Sequence, residues 1–210
     1  MKKNFTLITY CVINIILWLV MSSVISFAQT ASTGKTSISL LTDDAGKVTI
    51  KFEAGSFIQK KVNTPAGEAV IINIDKGTSM LEQGFPDLPK LTASIIVPDD
   101  KNMAVSVTES QYADYENVIV APSKGSLNRD VDPATVAYTY GEVYSENNFF
   151  PKKLAALREP YILRDFRGQT VIVYPFQYNA VTKTLRVYSE ITVTIIADAH
   201  PAINALHRNP

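Results

Sequence analysis

Arg167 to Ile196 reads RGQTVIVYPFQYNAVTKTLRVYSEITVTII, and its alternation decides the fold class. In its second half Leu185, Val187, Ile191, Val193 and Ile195 fall on one face, with Ser189 breaking the row. Thr184, Arg186, Tyr188, Glu190, Thr192 and Thr194 fall on the other. Period two marks a strand with one buried face and one wet face. The first half is apolar on both sides: Val171 and Val173 point one way, and Ile172, Tyr174, Phe176 and Tyr178 the other. That composition suits a central strand, except that Pro175 cannot donate to a ladder and marks a bulge or an edge. With Asn179 to Lys183 as the turn, the stretch predicts one long hairpin that is scaffold rather than chemistry.

Working outward, the same pattern recurs towards the N-terminus. Thr36–Leu41 and Lys47–Glu53 flank the turn formers Asp43-Asp44-Ala45-Gly46 and predict a hairpin. Ser56–Val62 and Ala69–Asp75 predict two further strands around Asn63 to Gly67. Gly84-Phe85-Pro86-Asp87-Leu88-Pro89 reads as a stiff connector between sheets, because two prolines fix an extended path. Thr92–Val97, Met103–Glu109 and Asn117–Ala121 resume the strand pattern, and Lys152–Arg158 has room for one helical turn. The sum is about ten short strands with regular turns, an all-β antiparallel sandwich or barrel-like domain.

The first residues belong to a different class. Lys2 and Lys3 precede an apolar run densest from Val12 to Val20, and Ser26-Phe27-Ala28 offers small residues to a signal peptidase. The expectation is a signal peptide over 1–28 cut between Ala28 and Gln29, with a retained anchor as the alternative. The domain then spans 29–196, and 197–210 reads as a linker or tail. Cys11 is the single cysteine and leaves with the leader, so the exported chain has no disulfide, thiolate nucleophile or cysteine metal ligand. Losing Lys2 and Lys3 from a balance of 20 basic and 20 acidic side chains leaves a slight negative charge. That balance excludes a strongly basic nucleic-acid binder.

Candidate chemistry is sparse. Both histidines, His200 and His207, lie in the predicted tail, no serine sits in a nucleophile-elbow pattern, and no glycine loop suits a phosphate. Asp99 and Asp100 supply too few oxygens for a calcium loop, and the two histidines make a poor metal site. Carboxylate pairs such as Asp130 and Asp132 occur in any β-domain, so the chain is read as non-enzymatic with no metal and no cofactor. The feature that stands out is the polar interruption from Pro122 to Pro133, PSKGSLNRDVDP, because long ordered loops in compact domains are often functional. The aromatic segment that follows, with Tyr138, Tyr140, Tyr144, Phe149 and Phe150, has two readings: core packing, or a platform for glycan or protein on an exported binding module.

The order of motifs carries a resemblance. Gly84-Phe85-Pro86-Asp87-Leu88-Pro89 precedes a strand ending in Val97-Pro98. Ala121-Pro122-Ser123-Lys124-Gly125, Tyr140-Gly141, Tyr144 and Phe149-Phe150-Pro151 follow. Arg167-Gly168, Pro175-Phe176-Gln177-Tyr178-Asn179 and Lys183-Thr184-Leu185-Arg186-Val187-Tyr188 complete the series. This series, over Leu81 to Ile196, resembles the propeptide of the gingipain family, secreted cysteine peptidases of Bacteroidetes-type bacteria. The resemblance implies a β-sandwich that sits before a cysteine peptidase catalytic domain, keeps it latent and assists its folding. In arginine-specific members a propeptide loop offers a basic side chain to an acidic specificity pocket, where a guanidinium meets a carboxylate through two parallel hydrogen bonds. Arg129 is the candidate for that role, with Lys124 as the alternative; a solvated loop arginine is the competing reading. Arg208 is the candidate for propeptide cleavage. A family zymogen carries its catalytic cysteine and histidine further on, whereas this sequence stops at Pro210. The expectation is therefore a piece of a longer zymogen, acting in cis, or a free-standing inhibitor or relic, acting if at all in trans.

Overall fold

Leu185, Ile191, Val193 and Ile195 are at most 1% exposed, and they lie on the strand around which one sheet is assembled. The computed structural model describes residues 34–44 and 46–207. In chain order the strands are β1 (Ser37–Asp44), β2 (Lys47–Glu53), β3 (Phe57–Thr64), β4 (Gly67–Ile74), β5 (Thr78–Ser79) and β6 (Pro89–Ile96). They continue as β7 (Asn102–Tyr115), β8 (Ala155–Leu157), β9 (Tyr161–Leu163), β10 (Phe166–Val173), β11 (Phe176–Asn179) and β12 (Thr184–Asp198). Two short 3-10 turns, Pro133–Thr135 and Glu142–Ser145, separate β7 from β8.

The strands form two five-stranded sheets and a separate β3–β4 hairpin, and every strand pair is antiparallel. In the first sheet β7 runs along β12 from Leu185 to Asp198. The opposite edge of β12 is shared, with β11 on Thr184–Val187 and β2 on Glu190–Ile196. The second sheet repeats this arrangement around β10, with β6 on one edge and β9 and β8 sharing the other. Phe52, Ile50, Ile191, Val193 and Phe176 of the first sheet meet Leu91, Val171 and Val173 of the second in one buried cluster. The expected all-β antiparallel sandwich is the observed fold.

Several local expectations need correction. The long hairpin is divided between the sheets: β10 pairs with β6, and only β11 turns back onto β12. Pro175 marks that crossing. Its carbonyl accepts from Tyr188 N at 2.8 Å, while Tyr174 N donates to Leu154 O at 2.9 Å. The break at Ser189 is a bulge, since Tyr188 and Glu190 pair with the consecutive residues Tyr112 and Gln111 of β7. The predicted helical turn over Lys152–Arg158 is instead β8, drawn out by pairing with Val171 to Val173. The predicted strand over Asn117–Ala121 is reduced to one isolated bridge, Val120 with Val70, although Val120 and Ala121 are fully buried.

The described part of the predicted tail is docked on the sandwich. Arg167 is 0% exposed and donates to four carbonyl oxygens. Nη1 reaches Pro98 O at 2.6 Å and Lys101 O at 2.8 Å. Nε reaches Asn204 O at 2.9 Å, and Nη2 reaches Ile203 O at 2.7 Å. Asn204 Nδ2 donates to Pro160 O, and Leu206 N to Asp99 O. One guanidinium thus ties residues 203 and 204 to the β6–β7 loop.

Candidate functional site

The loop between Pro122 and Tyr138 grows from a base in which separate motifs are laced together. Asp87 N donates to Ala121 O at 2.9 Å, Ser123 N to Phe85 O at 2.7 Å, and Gly84 N to Ser123 O at 3.0 Å. Gly141 N donates to Gly84 O at 2.9 Å, and a Cβ on Gly141 would lie 2.9 Å from that same oxygen. Such an approach needs glycine. Phe150 packs on Phe85 with ring centroids 4.9 Å apart. The stretches GFPD, APSKG, YG and FF, dispersed in sequence, therefore make one pedestal.

From the pedestal the chain leaves through Gly125 at φ +82°, which the Ser123 hydroxyl supports by accepting Gly125 N. Asn128 O accepts Val131 N at 3.1 Å and turns the tip. On the returning side Asp132 caps the Pro133–Thr135 turn by accepting Ala134 N at 2.9 Å, an N-cap arrangement that satisfies an otherwise free amide. The neck is closed by Lys124, whose Nζ donates to Pro133 O at 2.7 Å and sits 4.2 Å from the centroid of the Tyr138 ring. Asn128, Arg129 and Asp130 are exposed at the tip.

Of the two basic candidates, Lys124 is half-buried and engaged in the neck, whereas Arg129 is exposed at the apex. Ala28, Gln29 and Arg208 lie outside the described residues. Beneath the loop a groove of about 450 Å³ runs past Val62, Ile71, Leu81, Leu127 and Tyr138 to Asp87. Burial pushes the Asp87 carboxyl above the usual carboxylate range, and a hydrogen bond from Ser79 opposes the shift. Burial, with a smaller contribution from the Asp87 charge, raises the Tyr138 phenol.

The aromatic side chains weighed as a platform have internal partners. Tyr140 donates to or accepts from Thr64 Oγ1 at 2.7 Å and meets the Tyr144 ring edge-on. Tyr144 donates to Val120 O at 3.0 Å, and burial raises its phenol, with the neighbouring phenols Tyr178 and Tyr140 adding to the shift. Phe149 lies against the Arg186 guanidinium, which also covers Tyr112 and binds Asp114 through two bonds of 2.8 Å. Among the described residues no group of three or more His, Cys, Asp or Glu side chains could hold a metal ion.

The Propeptide_C25 family model matches residues 22–208. The chain belongs to the Propeptide_C25 family. The propeptide is 40% identical over 185 residues, 87% of its length, to gingipain R1 of Porphyromonas gingivalis. It is 36% identical over 207 residues to gingipain R2 of the same organism. It spans 19% of that gingipain R1 and 28% of that gingipain R2. Its fold matches a solved complex of the pro- and mature domains of Porphyromonas gingivalis RgpB, with a TM-score of 0.78 and 37% identity over 80% of this chain and 89% of that one. A structure addressing the zymogenic latency of gingipain K matches in fold, with a TM-score of 0.67, 20% identity, and coverage of 79% of this chain and 94% of that one. The propeptide was legible from motif order; the buried Arg167 clamp was not, because its partners are backbone carbonyls that no side-chain pattern announces.

Proposed function

We propose that this propeptide keeps a gingipain-type cysteine peptidase latent by seating the Pro122–Tyr138 loop in the active-site cleft, with Arg129 as the ligand of the specificity pocket. The observation that carries the reading is the contrast within the loop. Its feet are fixed by backbone hydrogen bonds and a capped turn, yet its apex is exposed and bears a guanidinium. A rigid scaffold presenting an exposed side chain loses little conformational freedom on binding. An acidic pocket would receive that guanidinium through paired, charge-assisted hydrogen bonds. The likeness to the RgpB pro- and mature-domain complex supports a peptidase catalytic domain as the partner, in cis or in trans. The basic and apolar leader over 1–28 supports export, with cleavage between Ala28 and Gln29, to the periplasm, cell surface or medium. Release of the domain by cleavage at Arg208 fits a position just beyond the docked residues 203–206.

The test is a titration of the purified chain against an arginine-specific gingipain-type peptidase with a small peptide substrate. The expected result is tight inhibition that is relieved by raising the substrate concentration, because loop and substrate share one cleft. Inhibition that is absent at micromolar protein contradicts the reading.

A further inference from the structure

Lys124 and Arg129 are two cations in one loop, and the structure gives them opposite situations. We propose that Lys124 is a positioning residue, which holds the loop closed across its neck so that Arg129 is presented in a single geometry; this rests on the loop being the inhibitory segment. Its ammonium spans the two feet. It leaves the outgoing foot next to Gly125 and donates to Pro133 O, at the start of the returning turn, at 2.7 Å. The Tyr138 ring, further along the returning foot, lies 4.2 Å from the same nitrogen. An ammonium is a compact donor with several rotatable N–H groups, so it can satisfy a carbonyl and the face of a ring together.

The tip depends on this tie. Residues 126–132 belong to no strand, and within the tip the bond from Val131 N to Asn128 O supplies a local turn. Without a link across the neck the two feet could splay and Arg129 would sample many positions. The apparent affinity of a ligand group falls by the fraction of time it spends in the competent geometry. Lys124 therefore acts through Arg129, not on the peptidase.

The experiment combines amide hydrogen exchange on the free chain with inhibition constants against an arginine-specific gingipain-type peptidase. The chains compared are wild type, Lys124→Met, Lys124→Arg, Arg129→Ala and the double variant Lys124→Met with Arg129→Ala. Lys124→Met is expected to speed exchange in residues 126–132 and leave β12 protected as in wild type. It should raise the inhibition constant about tenfold, as for a tenfold loss of competent population. Lys124→Arg, which keeps a donor for Pro133 O and a cation for Tyr138, should recover most of both effects. In the Arg129→Ala background Lys124→Met should cost nothing further, since the side chain that it positions is gone. Unchanged exchange in Lys124→Met overturns the proposal, as does faster exchange with an unchanged inhibition constant, or a loss that persists in full beside Arg129→Ala. If the wild-type chain does not inhibit, the parent function fails instead, and exchange alone decides whether Lys124 is the tie.

Discussion

The guanidinium of Arg167 is fully buried among four carbonyl oxygens, and burial lowers its pKa while Asp99 and Asp100 act in the opposite sense. Replacing one side of such a buried polar cluster strands the other, which costs more than the bonds themselves are worth. Arg167→Met is expected to reduce the unfolding free energy by about 3 kcal/mol or more, at about 1–3 kcal/mol for a buried carbonyl left unpaired. A fall in the urea midpoint at an unchanged m value measures it; an unmoved midpoint contradicts the clamp. In the sequence nothing about Arg167 announces the clamp, because the carbonyls that bind it come from positions 98, 101, 203 and 204. Asp87 supplies a test of the opposite electrostatic sign. Its folded-state pKa is raised, so the folded state holds the proton more tightly than the unfolded state does. The protonated carboxyl therefore favours folding at low pH, and this contribution is lost as pH rises from the ordinary carboxylate value through the raised one. Asp87→Asn, which keeps an acceptor for the Ser79 hydroxyl, is expected to stabilise the protein relative to wild type at neutral pH. That advantage should shrink on acidification through the raised pKa. Equal stability at neutral pH, followed by divergence at low pH, would reverse the sign and refute the burial argument.

At the scale of elements, alternation identified β2, β4, β6 and β12, although the face of β12 expected to be wet buries Tyr188, Thr192 and Thr194. It did not reveal that β10 and β11, continuous in sequence, serve different sheets. A two-residue crossing at Tyr174-Pro175 leaves both flanking strands apolar, and only the pairing of β10 with β6 distinguishes them. Nor could alternation anticipate β8, where pairing with β10 overrides the high helix propensity of Leu154-Ala155-Ala156-Leu157. Two glycines test how elements meet. A Cβ on Gly55 would lie 2.3 Å from Gly34 O and 2.7 Å from Thr36 N, both backbone atoms that hold the approach to β1. A Cβ on Gly168 would lie 2.8 Å from the Tyr161 ring, but that side chain is 37% exposed and can swing outward. Gly55→Ala should therefore destabilise by about 1–3 kcal/mol, as overpacking does in a filled core, and Gly168→Ala by clearly less. Thermal melts of the two variants, side by side, check the order; the reverse order would contradict the packing described at both positions.

For the whole molecule, two sheets and a pedestal of sequence-distant motifs make a rigid base from which one loop projects. The base was legible as motif order and the loop as an interruption in periodicity, since polar turn formers stand out against alternating strands. At the neck Lys124 turns inward to Pro133 O and Tyr138, and Arg129 is left at the exposed tip. Arg129 is the proposed ligand of an acidic pocket on a gingipain-type cysteine peptidase. The most direct measurement is the ratio of inhibition constants for Arg129→Ala and wild type against an arginine-specific peptidase of that type. A loss of about 2–5 kcal/mol, carried mainly by faster dissociation, is the predicted result for a charge buried in the complex. Equal inhibition constants for the two chains would contradict it.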